Sequence, residues 1–252
     1  MVKTCGDLTY GVLTQGVEDK NVNRIQDQTI SNILLKINTK LSGRNWLLSP
    51  SNQLFAQHLK YIYDGPVMFF GADVTHPSPG DTKVTESIAA VTGSFDKEGT
   101  FYGARLFAQK TPKGQAYEMI HSLDQMVFSL MTEFYRINKT FPRRIVFFRD
   151  GVSEGQFSLV IRHEMNKIRE ACQKVNPAYK PAVTFVVVQK RHHTRFFAID
   201  QRDRNGRSEN VPPGTVVDRD IVTKSLFDFF LCSHAGIQVI QTIFFNGNIF
   251  FF

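Results

Sequence analysis

The 252-residue chain is 42% hydrophobic and carries a formal charge of +7, a composition that suits one large globular domain, or one and a half ordinary ones. Its three cysteines are widely separated and include no CxxC pair, which supports neither a disulfide framework nor a zinc site and predicts a reducing compartment. The N-terminus lacks the apolar segment of a secretory signal, and no apolar run is long enough to span a membrane. We therefore expect a cytoplasmic protein with no membrane partner, whose basic surplus attracts polyanions where it is clustered.

The first fifty residues contain one amphipathic helix, predicted over Gln28–Leu41. Lys36 and Lys40 lie four residues apart and project from the same side of that helix. If the chain folds back, these two lysines would line an anion pocket together with Lys3 and the amide of Gln15. The alternative is that they are ordinary solvated lysines on a helix surface.

Asp73 follows an apolar run at Val67–Phe70 that is typical of a strand buried on both faces. The prolines and glycine of the following HPSPGD predict an immediate turn. Asp73 is therefore expected where a buried strand meets solvent, a place at which a carboxylate binds a cation. The alternative is that Asp73 only caps the turn.

The next segments predict a hairpin and then a helix. Ile88–Ser94 and Thr100–Gln109 are separated by the turn sequence DKEG, which favours an antiparallel pair beside the first strand. Glu118 follows the breaker-rich TPKGQ and is predicted to begin a helix whose apolar stripe is core. The alternative is that Glu118 only places a favourable negative charge near the positive, N-terminal end of that helix.

A second buried strand, Arg144–Asp150, also ends in an aspartate, and GVSEGQF leads from it into a long amphipathic helix. Two neighbouring parallel strands that each end in Asp would supply a two-carboxylate metal site. The hypothesis therefore requires Asp73 and Asp150 to converge.

A basic run follows the apolar strand Val183–Val188, in the sequence QKRHHTRFF. A basic run with aromatic residues at a strand end is typical of a site for a phosphate backbone. His192 and His193 are not expected to share a metal, because neighbouring side chains of an extended chain lie on opposite faces.

Taken together, the sequence resembles the PIWI domain of Argonaute proteins, preceded by the C-terminal part of a MID domain. The segments GADVTHPSPGD, SIAAVTGS, FFRDGVSEGQF, VVVQKRHHTRFF, PPGTVVD and FLCSHAGIQ arrive in the order of that family. The resemblance as a whole covers about residues 1–238. The resemblance implies an α/β fold, a ribonuclease H-like mixed sheet flanked by helices. It assigns residues 1–50 to the MID part, 51–65 to a linker, 66–238 to an incomplete PIWI domain and 239–252 to a divergent Phe-rich tail.

The same resemblance implies a small guide RNA, a complementary target RNA and silencing-complex proteins as partners, and Mg²⁺ or alternatively Mn²⁺ as cofactor. It makes Asp73, Glu118 and Asp150 catalytic, with Asp73 and Asp150 as metal ligands. It assigns the guide 5′ phosphate to Lys3, Gln15, Lys36 and Lys40, and the guide backbone to Lys190, Arg191, His193 and Arg195.

The chain departs from the family beyond Gln238, where active members carry a fourth catalytic residue, a His or Asp. His234 belongs to the SHAGIQ motif and is not that residue. Two functions from different classes therefore remain open: an RNA-guided endoribonuclease, and a guide-RNA binding module or truncated fragment that does not cut. The missing ligand favours the second for the chain as written, with cleavage expected of a complete protein. A third alternative is a fragment too incomplete to fold stably, because its apolar faces are left uncovered.

Overall fold

A computed structural model describes residues 2–23, 26–47, 64–78, 86–110, 118–190, 192–205, 209–223 and 227–234, and the backbone of 244–251. The chain divides into two compact units, Met1–His58 and Leu59–Phe252. The predicted linker at 51–65 falls almost wholly outside the described residues.

The first unit is helical. After α1 (Val2–Thr4) and a π-helical segment (Cys5–Tyr10) come α2 (Asp19–Asn23) and α3 (Asp27–Lys40). The helix predicted over Gln28–Leu41 therefore forms with bounds shifted by one residue. Its apolar face lacks fully buried residues, and Leu34 is 57% exposed.

In the part of the second unit that the structure describes, eight strands form one mixed sheet, in the spatial order β3-β2-β1-β4-β5-β8-β7-β6. The strands are β1 (Val67–Thr75), β2 (Glu86–Ser94), β3 (Tyr102–Lys110), β4 (Arg144–Asp150), β5 (Ala182–Gln189), β6 (Val216–Val217), β7 (Phe227–Cys232) and β8 (Phe244–Phe251). The helices are α4 (Leu123–Asn138) and α5 (Phe157–Val175), with 3-10 turns at Glu154–Gln156 and Gln201–Asp203.

The centre of the sheet consists of three parallel strands, because β4 pairs in parallel with both β1 and β5. The register aligns Phe70, Phe147 and Phe185 across them, and successive rings lie 5.9 Å and 5.1 Å apart. This row of rings packs with the apolar stripes of α4 and α5 in one buried cluster. The two long helices therefore cover the same face of the sheet.

The hairpin predicted beside the first strand is confirmed: β2 and β3 pair antiparallel, and β2 pairs antiparallel with β1. The predicted start of the next helix is wrong. The helix begins at Leu123, whereas Glu118 lies in an irregular stretch before it. The physical reason is that the side chains of Gln109 and Glu164 form hydrogen bonds with the backbone of residues 119–121.

The Phe-rich segment that the sequence assigned to a tail contains β8. This strand lies between β5 and β7 and pairs antiparallel with both. The two neighbours satisfy backbone N–H and C=O groups along both edges of this strand.

Candidate active site and nucleic-acid interface

Asp73 and Asp150 lie on neighbouring parallel strands at the same end of the sheet. The register pairs Ala72 of β1 with Arg149 of β4, so the two aspartates are the next residue along each strand. Asp150 ends β4, whereas β1 continues past Asp73 to Thr75 along β2. The alternation of side chains puts both carboxylates on the face opposite the two long helices.

Gly151 brings the two strand ends close together. Its φ is +84°, and a Cβ placed on it would lie 2.8 Å from Asp73 Oδ1. Local backbone groups also orient each carboxylate: Val74 N–H donates to Asp73 Oδ1, and Gly151 N–H donates to Asp150 Oδ1, both at 2.8 Å. The glycine therefore leaves space for the Asp73 carboxylate that a side chain would fill.

Glu118 is held by the side chain of His76, which directly follows β1, and by that of Arg149 on β4. Its Oε1 lies 2.8 Å from His76 Nε2, and its Oε2 lies 3.4 Å from an Nη of Arg149. His76 Nδ1 in turn lies 2.8 Å from the hydroxyl of the buried Ser87. The sequence resemblance missed this role of His76, although its place three residues after Asp73 is a signal that it lies near the same site.

Arg149 is 0% exposed and connects the catalytic candidates to helix α5. Its guanidinium donates to the backbone carbonyls of Glu118 and Asp150. Its Nε donates to Glu164 Oε1 at 3.1 Å. The sequence contains a signal for this role of Arg149, namely a charged residue within the apolar strand RIVFFRD. A buried cation at such a place needs hydrogen-bonding or charged partners.

Glu164 is also 0% exposed. Burial raises the pKa of this carboxyl to about 6, against the opposing attraction of Arg149. Its Oε2 has no hydrogen-bond partner within the described part of the chain. Glu164 stands on the apolar stripe of α5, between Ile161 and Ile168, so helical spacing alone identifies it as a buried acid.

Buried side chains also bind the backbone of the stretch that carries Glu118. The side-chain amide of Gln109, on β3, donates to Met119 O at 3.0 Å, and its carbonyl accepts from His121 N–H at 3.3 Å. Glu164 Oε1 accepts from Ile120 N–H at 3.4 Å. These bonds replace those of a helix or strand, which explains why the stretch is ordered without being helical.

The three acidic candidates do not form one cluster. Within the described residues, no three His, Cys, Asp or Glu side chains lie close enough together to hold a metal ion. Mg²⁺ requires only one or two protein carboxylates because water completes its octahedral shell. Asp73 and Asp150 supply two carboxylates at one end of the sheet. Asp150 also pairs with the ammonium group of Lys190, whose Nζ lies 2.6 Å from Asp150 Oδ2.

The basic segment after β5 alternates as an extended chain does. His192 packs edge-on against Phe230 at 5.3 Å, and Phe196 does so at 5.4 Å, whereas His193 and Arg195 are exposed. The two histidines therefore lie on opposite faces, as the sequence predicts. Arg195 donates to the carbonyls of His192 and Thr194, and Arg191 lies outside the described residues.

In the first unit, the structure brings together two of the four residues assigned to a 5′ phosphate. Lys40 Nζ donates to Gln15 Oε1 at 2.8 Å and to the carbonyl of Thr14. Lys36 is exposed one turn before Lys40, and Lys3 is exposed in α1. In the described part of this unit, neither of them is hydrogen-bonded to the Gln15–Lys40 pair.

A family model described as "Piwi domain" matches residues 1–242. The chain belongs to the Piwi-domain family. The Argonaute of Kluyveromyces polysporus, solved with a guide RNA, superposes on this Piwi-domain chain with a TM-score of 0.80 at 30% identity, over 98% of this chain and 30% of that one. The C-terminal lobe of a budding yeast Argonaute gives 0.80 at 29% identity, over 99% and 49%.

The MID and PIWI domains of N. crassa QDE-2 are also similar, with a TM-score of 0.54 at 28% identity, over 74% of this chain and 50% of that one. These matches confirm the fold class, a ribonuclease H-like mixed sheet flanked by helices. The Piwi-domain chain spans 30% of the Kluyveromyces polysporus Argonaute and 49% of the budding yeast C-terminal lobe. Among the helices that the structure describes, none has the length and apolar character needed to cross a membrane.

Proposed function

We propose that this Piwi-domain chain binds a small guide RNA and that, in a complete protein, it cleaves the RNA paired with that guide. The placement of Asp73 and Asp150 at the same end of neighbouring parallel strands carries the proposal. The similarity to an Argonaute solved with a guide RNA supports it. A cytoplasmic location and silencing-complex partners belong to the same proposal.

In this proposal Asp73 and Asp150 hold Mg²⁺, or Mn²⁺ in its place. When bound, such cations activate a water molecule and stabilise the leaving oxygen of a phosphodiester. The family resemblance adds Glu118 to these two aspartates as a catalytic residue, and the position of Glu118 depends on His76 and Arg149. Lys190, Arg191, His193 and Arg195 contact the guide backbone, which positions the strand without reading its bases.

The decisive experiment is a cleavage assay with the chain, a 5′-phosphorylated guide, Mg²⁺ and a fully paired target. A single cut directed by the guide, and abolished by Asp73→Ala, would establish an endoribonuclease. The matched control is Asp96→Ala, because Asp96 caps the β2–β3 turn through Thr100 and Phe101, at the opposite end of the sheet from Asp73 and Asp150. The Asp96→Ala variant should cleave the target as the original chain does.

A second candidate is a guide-binding module that does not cut. The observation that favours it is the absence of a three-acid cluster among the described residues. If a metal site lacks one protein ligand, water takes that coordination position and the protein no longer fixes the position of the cation. Precise positioning of the reacting groups accounts for much of such catalysis. Guide binding without any cut, under the conditions above, would select this candidate for the 252-residue chain.

The 5′-phosphate assignment has its own test. Lys36→Ala should weaken binding of 5′-phosphorylated RNA more than binding of 5′-hydroxyl RNA, because only the phosphate loses a charge-assisted bond. Lys20→Ala is the control, since Lys20 pairs with Glu18 on an exposed surface. Equal weakening of both RNAs by Lys36→Ala would refute the pocket.

A further inference from the structure

Lys190 reaches the candidate metal site from the neighbouring strand. It follows β5 directly, and β5 pairs Val188 with Asp150 at the end of β4. The ammonium group lies 2.6 Å from Asp150 Oδ2, and the side chains of Lys190 and Asp150 are 50% and 28% exposed. The pair is therefore open to solvent and to ligands on one side.

The two oxygens of Asp150 have different partners. Oδ1 accepts the N–H of Gly151 at 2.8 Å, whereas Oδ2 accepts from Lys190. A divalent cation that binds Oδ2 must take the place of the ammonium group or share the oxygen with it. Sharing is unfavourable because two cations at bonding distance from one oxygen repel each other strongly.

We propose that Lys190 is an exchangeable counter-ion that competes with the divalent cation for Asp150. This inference rests on the proposed function, since it presumes that Asp150 binds a metal. An RNA phosphate offers the ammonium group an alternative anion, and exposed His193 and Arg195 follow on the same segment. An RNA backbone that attracts Lys190 away therefore frees Asp150, so that RNA binding and metal binding strengthen each other, as linkage requires.

The experiment measures Mn²⁺ binding to the 252-residue chain by the electron paramagnetic resonance signal of the free ion. Lys190→Met removes the charge and keeps a long side chain, and Lys190→Gln repeats the test with a polar group. Removing a unit charge beside a divalent ion should lower the Kd for Mn²⁺ about 10- to 30-fold. Lys190→Arg retains the charge and should behave as the original chain does.

The matched control is Lys180→Met, which removes an exposed lysine just before the opposite end of β5. It should leave the Kd unchanged. As a second readout, Mg²⁺ should strengthen RNA binding more in the original chain than in Lys190→Met, because only the original chain has a lysine that the cation releases from Asp150 for the RNA. Binding of Mg²⁺ to the RNA itself is common to both chains.

The outcomes separate this inference from the proposed function. An unchanged or raised Kd in both Lys190→Met and Lys190→Gln would overturn the competition and leave the metal site standing. If neither the original chain nor any of the variants bound Mn²⁺, both the proposed metal site and the competition would be overturned.

Discussion

Glu164→Ala should strongly destabilise the larger unit, although Glu164 lies on a helix and outside the acidic site. Arg149 and Glu164 are both 0% exposed. The shortened side chain would leave the guanidinium of Arg149 buried without the Glu164 carboxylate, and the remaining carboxylate, that of Glu118, lies 3.4 Å away. Removing one partner of such a buried pair costs roughly 3–5 kcal/mol. That is a large part of the roughly 5–15 kcal/mol that stabilises a typical domain.

The structure also predicts how a milder change behaves. Glu164→Gln preserves the volume and an oxygen that accepts from Arg149 Nε and Ile120 N–H. It removes the negative charge from both of these hydrogen bonds, but burial already disfavours that charge by raising the pKa of Glu164 to about 6, so the loss should be no more than roughly 1 kcal/mol. Glu164→Gln should therefore be clearly more stable than Glu164→Ala.

Native-state hydrogen exchange measured by mass spectrometry is the appropriate assay, because amides of β4 and α5 report the opening of the larger unit alone. Glu170→Ala is the matched control on the same helix, since Glu170 is 48% exposed and pairs with Lys167. An exposed pair contributes only about 0–1 kcal/mol. If Glu164→Ala cost no more than Glu170→Ala, the reasoning from the buried pair would be refuted.

Three further predictions address pH, the candidate metal site and RNA. Burial raises the pKa of Glu164 from 4.5 to about 6, so the folded chain binds this proton at a higher pH than the unfolded chain. Relative to Glu164→Gln, the original chain should gain about 2 kcal/mol of stability as pH falls from about 7 to about 4, and a constant difference in urea unfolding across that range would contradict this. Gly151→Ala should weaken Mn²⁺ binding, because φ is +84° and the new methyl would lie 2.8 Å from Asp73 Oδ1, while Gly155→Ala, which meets nothing within 4 Å, should bind as before. Arg195→Ala should weaken the binding of every RNA sequence alike and reduce the slope of log Kd against log salt by about 0.7, whereas a loss confined to some sequences would argue against a backbone contact.

The sequence predicted the central strands and helices well because their signals are local. Buried strands such as Val67–Phe70 read as continuous apolar runs, and helices read as apolar stripes of period 3.6. The repeated order of strand, Asp and turn also indicated that Asp73 and Asp150 share an edge, since parallel neighbours present the same end. Glu118 shows the limit of this reasoning: its local pattern favours a helix start, and distant side chains override it.

What the sequence by itself determined is the set of segments, the family resemblance and the residue types available for chemistry. Only the tertiary structure decided which polar groups meet: Arg149 with Glu164, His76 with Glu118, and Lys190 with Asp150. The physical reason is that periodicity states which side of an element is buried, whereas the partner of a buried or paired charge depends on which elements become neighbours. The Arg149–Glu164 pair joins residues 15 positions apart and the Lys190–Asp150 pair joins residues 40 apart, distances over which no local pattern specifies a contact.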